Sequence, residues 1–139
     1  MAKVTLLKPE ITKLDLNLYQ SKVPAGFPSP ATEYLGDTLD LNDYLINNPT
    51  ASFFAKVEGD SMIGAGIFEG DLLVVDKSLN AKHKDIVIAS VNDEFTVKRL
   101  DTRDGIQLLA ENKDYAPIKL TGEMEFAIWG VVTGVVRKF

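Results

Sequence analysis

The chain has 139 residues, 45% apolar and 25% charged, which suits one globular domain with a real core and is too short for two ordinary domains. Its net charge of −5 argues against strong, direct nucleic-acid binding through a basic face. The absence of cysteine excludes disulfides and thiolate chemistry and fits a reducing cytoplasm. No apolar run reaches the length of a membrane span, and the apolar piece within Met1–Glu10 is too short for a signal peptide. The expectation is a cytoplasmic protein with no membrane contact, no metal and no cofactor.

From Met1 to about Ser21 the sequence is weakly patterned, with one alternating piece, Leu14-Asp-Leu-Asn-Leu18. This predicts an extended arm that adds as an edge strand. In the stretch Val23 to Pro30, Pro24, Pro28 and Pro30 forbid helix and favour extended chain. Its composition suits a plain linker equally well. Asp40 to Ile46 reads as a short helix capped by Asp40 and ended near Pro49. Beyond it strands are predicted at about 52–57, 71–76, 85–91, 94–101, 106–111 and 126–137. Asn92-Asp93 marks a hairpin turn, and Gly130 and Gly134 suggest bulges in the last strand. The fold class is mainly β: a compact single domain of short twisted strands over 31–139 with small helical additions, preceded by an extended N-terminal arm over 1–30.

Two stretches carry chemistry. Val57-Glu-Gly-Asp-Ser61-Met62 ends a strand-like run and turns the chain outward at a serine. A serine fixed there by its backbone keeps its hydroxyl reachable, as a nucleophile requires. An ordinary turn uses the same residues, so this stretch alone favours the turn. The second is Glu94-Phe-Thr-Val-Lys98-Arg-Leu100. A serine needs a base, and the single histidine, His83, lies in the polar run Ala81-Lys-His-Lys-Asp85, which reads as an exposed loop. A Ser-His-Asp triad is therefore disfavoured. Lys98 is the remaining candidate, since Ser-Lys pairs are a variant of the same logic. Period 2 places it on one face with Thr96 and Leu100, and Phe95, Val97 and Arg99 on the other; the pattern leaves open which face is buried. At a reference pKa of about 10.4, roughly one lysine in 2,500 is neutral at pH 7. A base of this kind must be buried, because burial lowers the pKa of an amine.

Gly59-Asp60-Ser61-Met62, Glu69-Gly70-Asp71-Leu72-Leu73, Asp85-Ile86-Val87 and Glu94 to Leu100, in this order and spacing, resemble the LexA/UmuD family of self-cleaving Ser-Lys peptidases. Ala25-Gly26-Phe27-Pro28-Ser29-Pro30 resembles the self-cleavage segment of the UmuD branch, and the similarity runs from about Val23 to the C-terminus. The resemblance implies a compact β fold, with Ser61 as nucleophile and Lys98 as general base. It implies a scissile bond between Ala25 and Gly26, and backbone N–H groups of Ser61 and Met62 as oxyanion donors. In UmuD the residue before that glycine is cysteine; Ala-Gly is the pairing of LexA.

The repressors of this family carry a helix-turn-helix domain ahead of the bond. Only 25 residues precede it here, and they are not basic, so the UmuD-like branch is expected. For that branch the family implies self-cleavage stimulated by a RecA filament on single-stranded DNA. The shortened homodimer then joins a UmuC-like Y-family polymerase as accessory subunit for error-prone translesion synthesis in the SOS response to DNA damage. Two alternatives stand beside it. One is a non-catalytic interaction module whose arm switches partners; the other is a peptidase acting on other proteins, which a substrate-like segment within the chain disfavours.

Overall fold

In the computed structural model, residues 3–7, 13–19, 23, 25–27 and 35–139 are described. They fall into two compact units, Met1–Pro9 with Asn48–Phe139, and Glu10–Asn47. The expected predominance of strands with few helices is what the structure has.

The larger unit is an eight-stranded antiparallel sheet. It contains β1 (Lys3–Leu7), β4 (Ser52–Glu58), β5 (Leu72–Asp76), β6 (Ile86–Val91), β7 (Glu94–Asp101), β8 (Gln107–Leu109), β9 (Ile118–Lys119) and β10 (Phe126–Val136). Their order across the sheet is β1-β4-β5-β10-β6-β7-β8-β9. The sheet curls, so that β1 comes against β7 although they are not neighbours in it. Buried side chains gather in two clusters. One core gathers Val57, Met62, Ile67, Leu73, Val75, Ile88 and Val97, and a second gathers Val87, Ala89, Leu100, Leu108 and Val131.

Local chemistry sets the joints. β6 and β7 form a two-residue hairpin, with Val91 opposite Glu94. Asn92 and Asp93 hold φ of 48° and 66°, the left-handed geometry such turns need and these residues tolerate. The register of β10 shifts between Ile128 and Gly130 against β6, and between Val132 and Gly134 against β5, where the two glycines predicted bulges. Gly130 allows a close approach: a Cβ there would stand 2.7 Å from Val75 Cγ1 and 3.0 Å from the Asp76 carbonyl oxygen.

In the smaller unit, β2 (Asp15–Tyr19) pairs with β3 (Leu35–Asp40) as a separate two-stranded ribbon. The alternating leucines thus form a hairpin partner; the strand that joins the edge of the main sheet is β1, whose pattern is only five residues long. Asp40 caps α1 (Leu41–Leu45) as predicted, its carboxylate accepting from the Asp43 N–H at 3.1 Å. Of the expected extended segment 23–30, Val23, Ala25, Gly26 and Phe27 are described; the rest lies outside the described residues.

Gly130→Val should therefore lower stability by about 1–3 kcal/mol, because Val75 is locked in the core and the Asp76 carbonyl is backbone. Chemical denaturation reads this as a fall in midpoint at unchanged slope. An unchanged midpoint would show that β10 can shift to admit the side chain.

Candidate active site

Ser61 lies in the loop that leaves β4, and the base of that loop is closed by backbone pairing. The Val57 N–H donates to the Asp71 carbonyl at 2.9 Å, and the Gly70 N–H to the Val57 carbonyl at 2.8 Å. Met62, 1% exposed, plants its side chain in the first core, and its carbonyl accepts from the N–H groups of Ala65 and Ile67. From outside, the segment 111–115 grips the same loop. The Gly64 N–H donates to the Glu111 carbonyl at 2.8 Å, and Asn112 Nδ2 to the Asp60 carbonyl at 3.0 Å. The Tyr115 hydroxyl donates to Asp60 Oδ1 at 2.5 Å, and this bond raises the tyrosine's pKa. Gly64 must be glycine for this contact, since a Cβ would lie 2.6 Å from the Glu111 oxygen. Below the loop, Arg137 clasps the buried carboxylate of Asp71 through Nε and Nη2, both at 2.7 Å. That pairing holds the Asp71 carboxyl below its ordinary range.

Lys98 comes from β7. It faces the second core: Val87 stands directly opposite it and Ala89 opposite Thr96, all fully or almost fully buried. The question the alternation left open is answered by the curl. Lys98 and Val97 are both buried, so both faces of β7 meet packed side chains at this point of the strand.

The two residues meet. Lys98 Nζ is 2.8 Å from Ser61 Oγ, 3.0 Å from Thr96 Oγ1 and 3.2 Å from the Val97 carbonyl. As an ammonium the lysine donates to all three. As a neutral amine it needs two acceptors and one donor, which Thr96, Val97 and the Ser61 hydroxyl provide. Either protonation state is satisfied, but burial disfavours the charged one and lowers the Lys98 pKa to about 8. About one molecule in ten then holds a neutral amine at pH 7.

Ala25, Gly26 and Phe27 form an exposed bend in the connection between β2 and β3, in the smaller unit. His83 is not brought to Ser61. Its Nδ1 accepts from the Thr102 N–H at 3.1 Å and lies 3.4 Å from Asp101 Oδ1. Thr96 is the residue that sequence reading left without a role, although period 2 had put it on the face of Lys98. Asn112 and Tyr115 had no local signal, being more than fifty residues from Asp60. Among the described residues no group of three His, Asp or Glu side chains is arranged to hold a metal ion, and no helix is long and apolar enough to cross a membrane.

A curled antiparallel sheet carrying a buried serine and lysine in hydrogen-bond contact defines the class. The Peptidase S24-like family matches residues 17–133, and the chain belongs to that family, the serine peptidases that include LexA and UmuD. It is 46% identical to Protein SamA of Salmonella typhimurium over 87% of this chain and 84% of that one. It is 45% identical to Protein MucA of Escherichia coli over 83% and 80%. The LexA repressor of Bordetella pertussis is 41% identical over 95% of this chain, which spans 61% of that repressor.

A buried lysine also affects stability, with a definite sign. Below about pH 8 the folded protein holds a desolvated ammonium; the cost falls as pH rises through 8 and is gone above 10.5, the lysine's ordinary value. Lys98→Met should thus raise the unfolding free energy at pH 6 by about 1–3 kcal/mol, net of the hydroxyls it leaves without a partner. The gain should shrink toward pH 10. A difference independent of pH between 6 and 10 would show that Lys98 does not titrate in the folded state as described.

Proposed function

We propose that this chain is a UmuD-like SOS mutagenesis protein that cuts its own Ala25–Gly26 bond with Ser61 as nucleophile and Lys98 as base. The observation that carries this reading is the 2.8 Å contact between Lys98 Nζ and Ser61 Oγ at a buried amine whose pKa is lowered to about 8. The neutral amine takes the Ser61 proton as Oγ attacks the Ala25 carbonyl carbon. Negative charge develops on the carbonyl oxygen, where fixed backbone N–H groups of Ser61 and Met62 are the donors. Collapse breaks the C–N bond, and the ammonium of Lys98 gives its proton to the Gly26 nitrogen. Water, deprotonated by the same lysine, then hydrolyses the ester and restores Ser61. Small residues on both sides of the bond let the serine approach.

The UmuD-like relatives support the wider role. A RecA filament on single-stranded DNA stimulates the cut by holding residues 1–30, the arm, so that Ala25 meets the serine of the 31–139 domain. The shortened homodimer then serves a UmuC-like Y-family DNA polymerase in the cytoplasm during translesion synthesis.

The purified chain, incubated at mildly alkaline pH, should shorten itself to a product of 114 residues beginning Gly26-Phe27-Pro28. Ser61→Ala and Lys98→Ala should each abolish this and stay folded. Mass spectrometry and N-terminal sequencing read the result. Cleavage by Lys98→Ala at the wild-type rate, or a different first residue, would sink the assignment, and no shortening at all would favour a non-catalytic interaction module.

The pH dependence gives a second check. With the Lys98 pKa at about 8, the unstimulated rate should climb about tenfold per unit up to roughly pH 7 and level off above roughly pH 9. His83→Ala should leave the profile unchanged. A histidine base would give a plateau near pH 7 that disappears in that variant.

A further inference from the structure

The edge of the main sheet is occupied by a strand that self-cleavage would cut loose. β1 pairs antiparallel with β4 over its whole length, Lys3 opposite Glu58 through Leu7 opposite Phe54. Val4 and Leu6 are half-buried and pack against the first core, while Thr5 and Leu7 are exposed. Leu6 and Leu7 also line a shallow apolar pocket with Phe53, Lys77 and Trp129. Among the described residues, β1 is the strand that ends the sheet on that side of β4. β1 belongs to the same compact unit as Asn48–Phe139, yet it reaches that unit along the chain only through residues 10–47.

We infer that β1 is a removable cover for the edge of β4, and that once the bond after Ala25 is cut its place is taken by an extended strand of a protein partner. This deepens the proposed self-cleavage and rests on it. While the chain is whole, pairing is intramolecular and the strand is always at hand. After the cut, the released fragment holds on only through this five-residue strand with its two half-buried side chains, and through β2 on β3, where the β2 side chains of residues 15–18 are exposed, against the freedom of a separate peptide. It leaves. The vacated edge then presents unpaired backbone groups beside two apolar seats, a template for strand addition. The occupant's chemistry is read from the strand that fits now: branched apolar residues at alternate positions, facing the core where Val4 and Leu6 sit. A strand borne on a folded partner is already held by its other contacts and so succeeds where the free peptide does not. β4 runs into the Ser61 loop, so the edge ends at Glu58, just before the proposed nucleophile's loop.

Amide exchange can test this residue by residue. The Val57 N–H points to the β5 side, where it donates to Asp71. Alternation then sends the N–H groups of Phe53, Ala55 and Val57 toward β5, and those of Phe54, Lys56 and Glu58 toward β1. In the intact chain both sets should be protected. After self-cleavage, verified by mass, the Phe54, Lys56 and Glu58 amides should exchange at least tenfold faster while the other set holds. Added in large molar excess over the cleaved chain, a synthetic peptide of residues 1–12, or one that keeps only its apolar alternation, should restore their protection by mass action. A peptide with Val4→Asp and Leu6→Asp should not. Trp129, the single tryptophan, should report loss of β1 by a shift of its emission to the red.

Protection that persists at Phe54, Lys56 and Glu58 after the cut would overturn the inference, as would restoration by the residue 1–12 peptide but not by the peptide that keeps only its apolar alternation. A chain that never cuts counts against the proposed function instead. The edge is then tested in full-length Ser61→Ala carrying Val4→Asp and Leu6→Asp, where the same three amides should lose protection and regain it with the wild-type peptide. Failure of both responses there would overturn the cover on its own terms.

Discussion

The structure depends on one unfavourable act, the removal of an amine from water. Lys98 has three polar neighbours and no carboxylate among them, so nothing in its hydrogen-bonded shell offsets the charge it carries in solution. The low-dielectric wall is supplied by Val87, Ala89 and Leu100 on the same face. A carboxylate in that shell would stabilise the ammonium and undo the effect. The apolar second core is thus as much a part of the site as the hydroxyl of Ser61.

Burying the lysine also demands rigidity elsewhere. A hydroxyl that drifted an ångström from Nζ would leave the amine without a partner for its lone pair. The Ser61 loop is accordingly tied at its base to Asp71, at its centre to the core through Met62, and at its rim to Glu111, Asn112 and Tyr115. These ties come from three separate parts of the chain. Each is short, and together they leave Ser61 little freedom.

Much of this was legible in the sequence, and the boundary is physical. Turn chemistry is local, so Asn92-Asp93, the Asp40 cap and the bulges at Gly130 and Gly134 were readable from a few residues each. The meeting of Ser61 and Lys98 was reached through chemistry, since a serine nucleophile needs a base and His83 stood in the wrong setting. The buried face of β7 was not readable, because alternation tells inside from outside only when one face is wet. Val97 and Lys98 are both buried, and the contrast vanishes. The edge position of β1 and the grip of Tyr115 on Asp60 depend on contacts about fifty residues apart, for which short-range pattern has no signal.

The order of the strands has a consequence for the protein while it is being made. β10 is the last strand in the chain but lies in the middle of the sheet, between β5 and β6. On the ribosome the earlier strands emerge first, and within the sheet the half carrying Ser61 is joined to the half carrying Lys98 only when β10 arrives. The clasp of Arg137 on Asp71 comes later still. A nascent chain therefore closes the sheet that sets Ser61 against Lys98 only with β10, so the frame on which the two side chains meet is finished late in synthesis.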